Sequence, residues 1–232
     1  MYPRRNRQER LTPGECVRGL ALSVLYFLVF PFAMAWVQRS AGEELPVAES
    51  NVVYYLISVM LVFLLFWRFL RQNFTLLLDR LPENLSVAAM ALAGWAVLDA
   101  LVRRIPLPVC NPNESGYEME FLLSPRATVV ILVVLMPIVE EMLFRGLLFG
   151  VLRRYSRALA YLCSAGAFAL YSVWQFVFSY GQTDFRYLLL AAQYLPAGLA
   201  FSWCYDRGSS VWSAVLLHMA VNGLTLLRIV VW

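Results

Sequence analysis

The chain has 232 residues, 61% of them hydrophobic, with a mean hydropathy of +0.64 and a formal net charge of +4. An ordinary soluble domain is roughly 45–50% apolar, so this composition excludes a water-soluble globular protein. The excess of positive charge does not mark a nucleic-acid binder either, because the arginines are spread over several short loops and form no basic domain.

The apolar residues gather into blocks long enough to cross a hydrocarbon core, which takes about 20 helical residues. Seven can be drawn: Val17 to Val37, Val52 to Leu70, Leu85 to Val102, Ala127 to Gly150, Ala158 to Phe178, Phe185 to Tyr205 and Ser209 to Val231. The predicted fold is all-α, a polytopic transmembrane bundle of about seven spans. The first block is longer than a signal-peptide core and no small-residue cleavage site follows promptly, so it is expected to remain as a helix. Two parts follow within one continuous membrane domain: residues 1–126 with three helices and an outer loop, and residues 127–232 with four helices.

All 19 basic residues are arginine, which keeps its charge in any environment. Arg4, Arg5, Arg7, Arg10 and Arg18 lie before or at the start of the first block, Arg68, Arg71 and Arg80 at the end of the second or between it and the third, and Arg153, Arg154 and Arg157 follow the fourth. Positive loops stay in the cytoplasm, which predicts a cytoplasmic N-terminus and, with seven spans, an outer C-terminus. Glu43, Glu44 and Glu49, then Glu114, Glu118 and Glu120, fall in the alternate loops, where Arg103, Arg104 and Arg126 partly offset the second group. Trp36, Tyr54, Tyr55 and Trp212 are expected in interfacial belts. The stretch from Ile105 to Ser124 is expected to be the one sizeable extramembrane loop, and it holds the sequon Asn113-Glu114-Ser115. Cys16, Cys110, Cys163 and Cys204 form no C-x-x-C pair and predict no disulfide framework.

Polar residues at membrane depth carry the functional information, since an ionisable group at a helix centre costs about 2.5–3.5 kcal/mol on insertion scales. The fourth block places Glu140, Glu141 and Arg145 in an otherwise apolar run. Glu141 and Arg145 stand at i, i+4 with the acid N-terminal and can pair; Glu140 points about 100° away and needs a partner on another helix, a wet cavity or a proton. Pro137 removes a backbone hydrogen bond just before the acids and frees a carbonyl that a cavity or neighbour must satisfy. The seventh block adds the only histidine, His218, and Asn222 one turn later on the same face. Each has a bland reading, a buried ion pair for the first set and helix-to-helix glue for the second. Taken together, carboxylate, imidazole and carboxamide are the groups that acid/base hydrolysis and oxyanion stabilisation use. A metal site is not expected with a single histidine and no H-E-x-x-H, and no serine-hydrolase elbow or phosphate loop occurs. Ala165, Gly166, Ala169 and Gly198 are read as close-packing positions, and Gln193 as helix glue or cleft lining.

These residues resemble the CAAX protease and bacteriocin-processing (CPBP, or Abi) intramembrane endopeptidases. The family's E-E-x-x-x-R matches Glu140, Glu141 and Arg145, and its later H-x-x-x-N matches His218 and Asn222. Its F-x-x-x-H aligns with Phe168 through Ser172, so Ser172 stands where the family has histidine, with Gln175 nearby as a second water-holding group; Tyr171 is expected to point elsewhere. The resemblance covers roughly Ala127 to Leu226. It implies hydrolysis of a peptide bond by a glutamate-activated water, with Glu140 as base, Glu141 and Arg145 orienting it, and His218 and Asn222 at the oxyanion. It also implies a peptide or membrane-protein substrate and a place in a bacterial cell membrane; no cofactor is expected, because a single histidine argues against a metal. The rival reading is a catalytically impaired relative that binds peptides as a scaffold or immunity protein. A small transporter, suggested by Pro137 and Pro196, lacks any inverted repeat to support it.

Overall fold

The computed structural model describes residues 11–30, 32, 33, 36, 40, 47–178 and 183–231, with residues 47–49 described by backbone alone. Arg4, Arg5, Arg7, Arg10, Glu43, Glu44 and part of the first predicted span lie outside these residues. All regular structure among the described residues is helical.

Helix α1 (Pro13–Val24) starts with a capping box in which Thr12 and Glu15 satisfy each other's backbone N–H, with Pro13 in the first turn. It runs on as a π-helical turn, Leu25–Val29. Helix α2 (Val47–Asp79) bends at Phe66, whose backbone leaves helical geometry, and α3 (Leu81–Val102) returns antiparallel after one residue. Helix α4 (Pro112–Leu123) is capped by Asn111, whose side chain accepts from the Asn113 N–H. The predicted outer loop is therefore half helical; Asn111-Pro112 is a helix start that the loop reading overlooked. Helix α5 (Pro125–Leu152) carries the acidic pair, α6 (Arg157–Tyr171) follows a Ser156 cap, α7 (Phe185–Arg207) opens with a 3₁₀ turn, and α8 (Val211–Val231) ends the described chain.

Five of these, α2 from Ser50, α3, α5, α7 and α8, are long and apolar enough to cross a membrane. The fifth predicted block differs: it is α-helical only to Tyr171, 15 residues, then breaks at Val173 and continues as a short 3₁₀ turn, Trp174–Val177. At 1.5 Å per residue α6 spans about 22 Å, short of the roughly 30 Å hydrocarbon core. The protein is a polytopic helical membrane bundle.

Helix α7 packs between α6 and α3, and α8 packs on α3, α5 and α7. One core layer joins α1, α2 and α5 through Tyr26, Phe66, Phe69 and Phe149; another joins α3, α5, α6, α7 and α8 through Trp95, Phe144, Phe168, Phe201 and Leu217. Polar side chains set the height of α8. Asn73 on α2 accepts from the Val211 N–H (3.0 Å) and Asn84 on α3 from the Ser209 N–H (3.0 Å), so the free donors at the start of α8 are met by neighbouring helices. Gly198 fits its close-packing role, since a Cβ there would lie 3.0 Å from Ala165 backbone atoms, and Ala165 and Ala169 are buried. Gly166 does not: the space where its Cβ would stand is open.

Candidate active site

Helix α5 is irregular where it matters. A π-helical stretch, Val130–Leu135, precedes Pro137, and a second, Met142–Phe149, follows the acids. In the first stretch the Met136 N–H donates five residues back to the Ile131 carbonyl, so the next bond in that register would run from residue 137 to Leu132. Proline has no N–H to give. The Leu132 carbonyl instead accepts from the Asn222 side-chain amide at 2.8 Å. The carbonyl freed by Pro137 is thus satisfied from α8, and the two site helices are locked in register.

The acidic pair divides as its spacing predicts. Glu141 Oε1 accepts from Arg145 Nη1 at 2.9 Å, and both side chains are fully buried. Arg145 Nη2 also donates to the Gly198 carbonyl (3.1 Å), and its guanidinium lies over the rings of Phe168 and Phe201, 4.8 and 5.1 Å from their centroids. Buried ions persist only when paired and hydrogen-bonded, and this one has an anion, a carbonyl and two aromatic faces. The same Glu141 oxygen meets His218 Nδ1 at 2.8 Å. The imidazole is buried, stacked on Phe201 (4.3 Å between centroids) and edge-on to Phe168. With Glu141 ionised beside Arg145, His218 donates through Nδ1–H, which leaves Nε2 as the acceptor of a neutral ring.

Nε2 stands 4.0 Å from Glu140 Oε2. Both side chains line a cavity of about 420 Å³ that also receives Asn222, Ser172 and Gln175. Glu140, His218 and Asn222 therefore share one pocket, whereas Glu141 and Arg145 stand behind its wall. Ser172 reaches the cavity, but its hydroxyl donates to the Phe168 carbonyl at 3.0 Å, within its own helix. Gln193 lines the cavity and accepts from the Asn111 side chain at 2.9 Å.

Five lining tyrosines, Tyr54, Tyr55, Tyr117, Tyr171 and Tyr194, escaped the sequence reading. Tyr171, expected to point elsewhere, faces the cavity because α6 ends there and the chain turns. Tyr54 and Tyr55, expected in an interfacial belt, line it from the start of α2, and Tyr117 closes it from α4. Aromatic residues near a helix end carry the same signal whether they face lipid or a cavity mouth. Asn113 ties α4 down, donating to the Ser172 carbonyl (2.9 Å) and to the Tyr194 hydroxyl (2.6 Å).

Fold and site together define a polytopic helical membrane protein with a buried acid–imidazole–amide pocket. Residues 123–224, the stretch of α5 to α8 that holds Glu140, Glu141, Arg145, Ser172, His218 and Asn222, match the model of a protease family, the type II CAAX prenyl endopeptidase Rce1-like family. Comparison with curated proteins and with solved structures gives no match.

Proposed function

We propose that this protein is an intramembrane endopeptidase of the CAAX protease type in which Glu140 activates a water. The observation that carries this is the 4.0 Å gap between Glu140 Oε2 and His218 Nε2 on the wall of a shared cavity. A water in hydrogen-bond contact with both atoms fits that gap. It gives one hydrogen to Nε2 and the other to the carboxylate. As its oxygen attacks the scissile carbonyl, Glu140 takes the proton, and the second N–H of Asn222 Nδ2 is free for the developing oxyanion while the first holds Leu132. Collapse of the tetrahedral species breaks the C–N bond, and Glu140 passes its proton to the leaving amine.

In this scheme His218 holds water, a different task from the oxyanion contact implied by the resemblance, and it stands in for the histidine absent at Ser172. Glu141 and Arg145 are positioning residues: they fix the His218 tautomer and touch no substrate. One histidine and two adjacent glutamates fall short of the ligand sets that hold zinc, so the scheme routes no step through a metal. We place the catalytic core in residues 127–232 and assign residues 1–126 to scaffold and cavity mouth. The mouth is formed where α2 begins and α3 ends, opposite the arginine-bearing end of α2 with its turn at Arg80 and the arginine loop at 153–157. With those loops in the cytoplasm of a bacterial cell, the N-terminus is inside and the cavity opens outward.

The test is cleavage of a fluorogenic peptide library by protein in nanodiscs. Glu140→Gln is expected to abolish it; undiminished turnover in that variant would remove the proposed base. The back-bonded hydroxyl of Ser172 favours one second reading, a peptide-binding scaffold without turnover. Under that reading the wild type is silent and Ser172→His creates cleavage, whereas an enzyme relying on His218 gains little.

A further inference from the structure

The two ends of the cavity differ in charge. At one end Asp99 and Glu114 are neutralised: Arg103 binds both at 2.7 Å, and Arg228 adds contacts at 3.1 Å to Asp99 and 3.8 Å to Glu114. Two cations face two anions, so the charges balance, and Arg228 Nη2 alone of these groups is buried without a hydrogen bond among the described residues.

The other end holds acids and phenols without a lining cation among the described residues. Glu120, on α4, lines the cavity and makes no ion pair among the described residues. Burial alone pushes its carboxyl above the usual range, with no neighbouring charge to offset it. Tyr117, one turn earlier on α4, lies within electrostatic range of both Glu120 and Glu140. Tyr54 and Tyr55 meet edge-to-face, 4.6 Å between centroids, and together with Tyr171 they too sit in the field of Glu140. Glu140 itself is 5% exposed and makes no hydrogen bond among the described residues; His218 Nε2 stands 4.0 Å from its Oε2. A half-buried carboxyl without a counterion, as Glu120 is, favours a proton until a cation arrives, and phenol rings offer a cation both their faces and their oxygens.

From this arrangement we infer that the acidic–aromatic end of the cavity is a specificity subsite for a basic side chain, lysine or arginine, of the peptide substrate. The cation sits among Tyr54, Tyr55 and Tyr117 and pairs with Glu120, which places the neighbouring peptide bond toward Glu140. This assignment rests on the peptidase reading for its consequence, but the recognition it describes does not require turnover. The compensated end at Arg103 and Arg228 has no such demand and takes uncharged parts of the peptide.

The experiment is a positional scan with N-acetylated hexapeptide libraries, each fixing one position as lysine, arginine, norleucine or glutamate. It is run with full-length protein in nanodiscs of phosphatidylglycerol, so that neither a peptide amino terminus nor a lipid ammonium can supply the cation. Cleavage and retention on the nanodiscs are read separately. The expected result is that lysine or arginine exceeds norleucine by about tenfold at one position in both readouts. Glu120→Gln should erase that preference, mainly through KM, and Glu120→Lys should move it to glutamate at the same position. Because a reversed preference is a gain, a misfolded variant cannot mimic it. Retention that favours a basic residue at one position only and loses that preference in Glu120→Gln, without any cleavage, sustains the subsite and sinks the peptidase reading, since the anionic lipid itself holds basic peptides regardless of position or variant. Cleavage or retention indifferent to a basic residue, or a basic preference that survives Glu120→Lys, overturns the subsite and leaves the peptidase reading standing.

Discussion

Helices α5 and α3 are both apolar enough to cross a bilayer, yet 61% of the most apolar stretch of α5 is buried in protein against 17% of that in α3. Hydropathy does not separate them. In lipid, leucine gains little by leaving one apolar surround for another, so an apolar helix is held inside a bundle by its polar groups and its packing. Helix α5 has Glu140, Glu141, Arg145 and an open carbonyl at Leu132, and neighbours must close around it. Helix α3 has Asn84 and Asp99 only near its ends and presents its middle outward, with Met90, Val97 and Leu98 exposed.

The sharpest way to test that contrast is at the acids themselves. Glu140→Gln should lower cleavage of a reporter peptide by about 10²–10⁴-fold, the usual weight of a positioned general base, with an unchanged melting temperature. Arg145→Met leaves Glu141 buried without its cation and should cost about 3–5 kcal/mol in denaturant unfolding from micelles. Its counterpart on α3, Leu98→Ala on an outward face, should cost less than about 0.5 kcal/mol. Equal losses from the two substitutions would break the comparison outright. Asn222→Ala should cost about 1 kcal/mol by stranding the Leu132 carbonyl, and most of that should return when Pro137→Ala restores an N–H on α5. A double-mutant cycle with no coupling between these two sites would refute the latch.

The smallest effect lies outside the spans. Burial opposes ionisation of Glu15, but Arg68 at 2.8 Å and the N–H and hydroxyl of Thr12 outweigh it and hold the carboxyl below the usual range. A depressed folded pKa means stability present at neutral pH and lost as pH falls from the ordinary carboxylate value through the lowered one. Glu15→Gln should therefore be less stable than wild type near pH 7 by about 0.5 kcal/mol, Arg68 being half exposed, and indistinguishable from it in strong acid.

Much of this was legible beforehand for a physical reason: a charge in an apolar run is an anomaly in one dimension. The i, i+4 rule paired Glu141 with Arg145, and Pro137 announced an unsatisfied carbonyl. What could not be read was direction. Asn222 was assigned to the pocket, yet its amide also serves Leu132, because the π-helical register that selects that carbonyl has no sequence signal of its own. Ser172 reaches the cavity as a water holder would, but its hydroxyl donates to its own helix, which leaves only acceptor lone pairs for a water. The tyrosines at 54, 55 and 171 were misplaced because facing lipid and facing a cavity need the same residue. The break after Tyr171 was hidden inside a continuous apolar run.

One contact bears on where this protein can be made. Asn113 is the acceptor asparagine of a glycosylation sequon, yet both groups its amide nitrogen binds, the Ser172 carbonyl and the Tyr194 hydroxyl, lie beneath α4. An oligosaccharide on that nitrogen would have to lie between α4 and the bundle. A host that attaches sugar before the chain folds would therefore hold the cap off the pocket, and a glycan-shifted band from such a host should carry protein that melts earlier than the unmodified form.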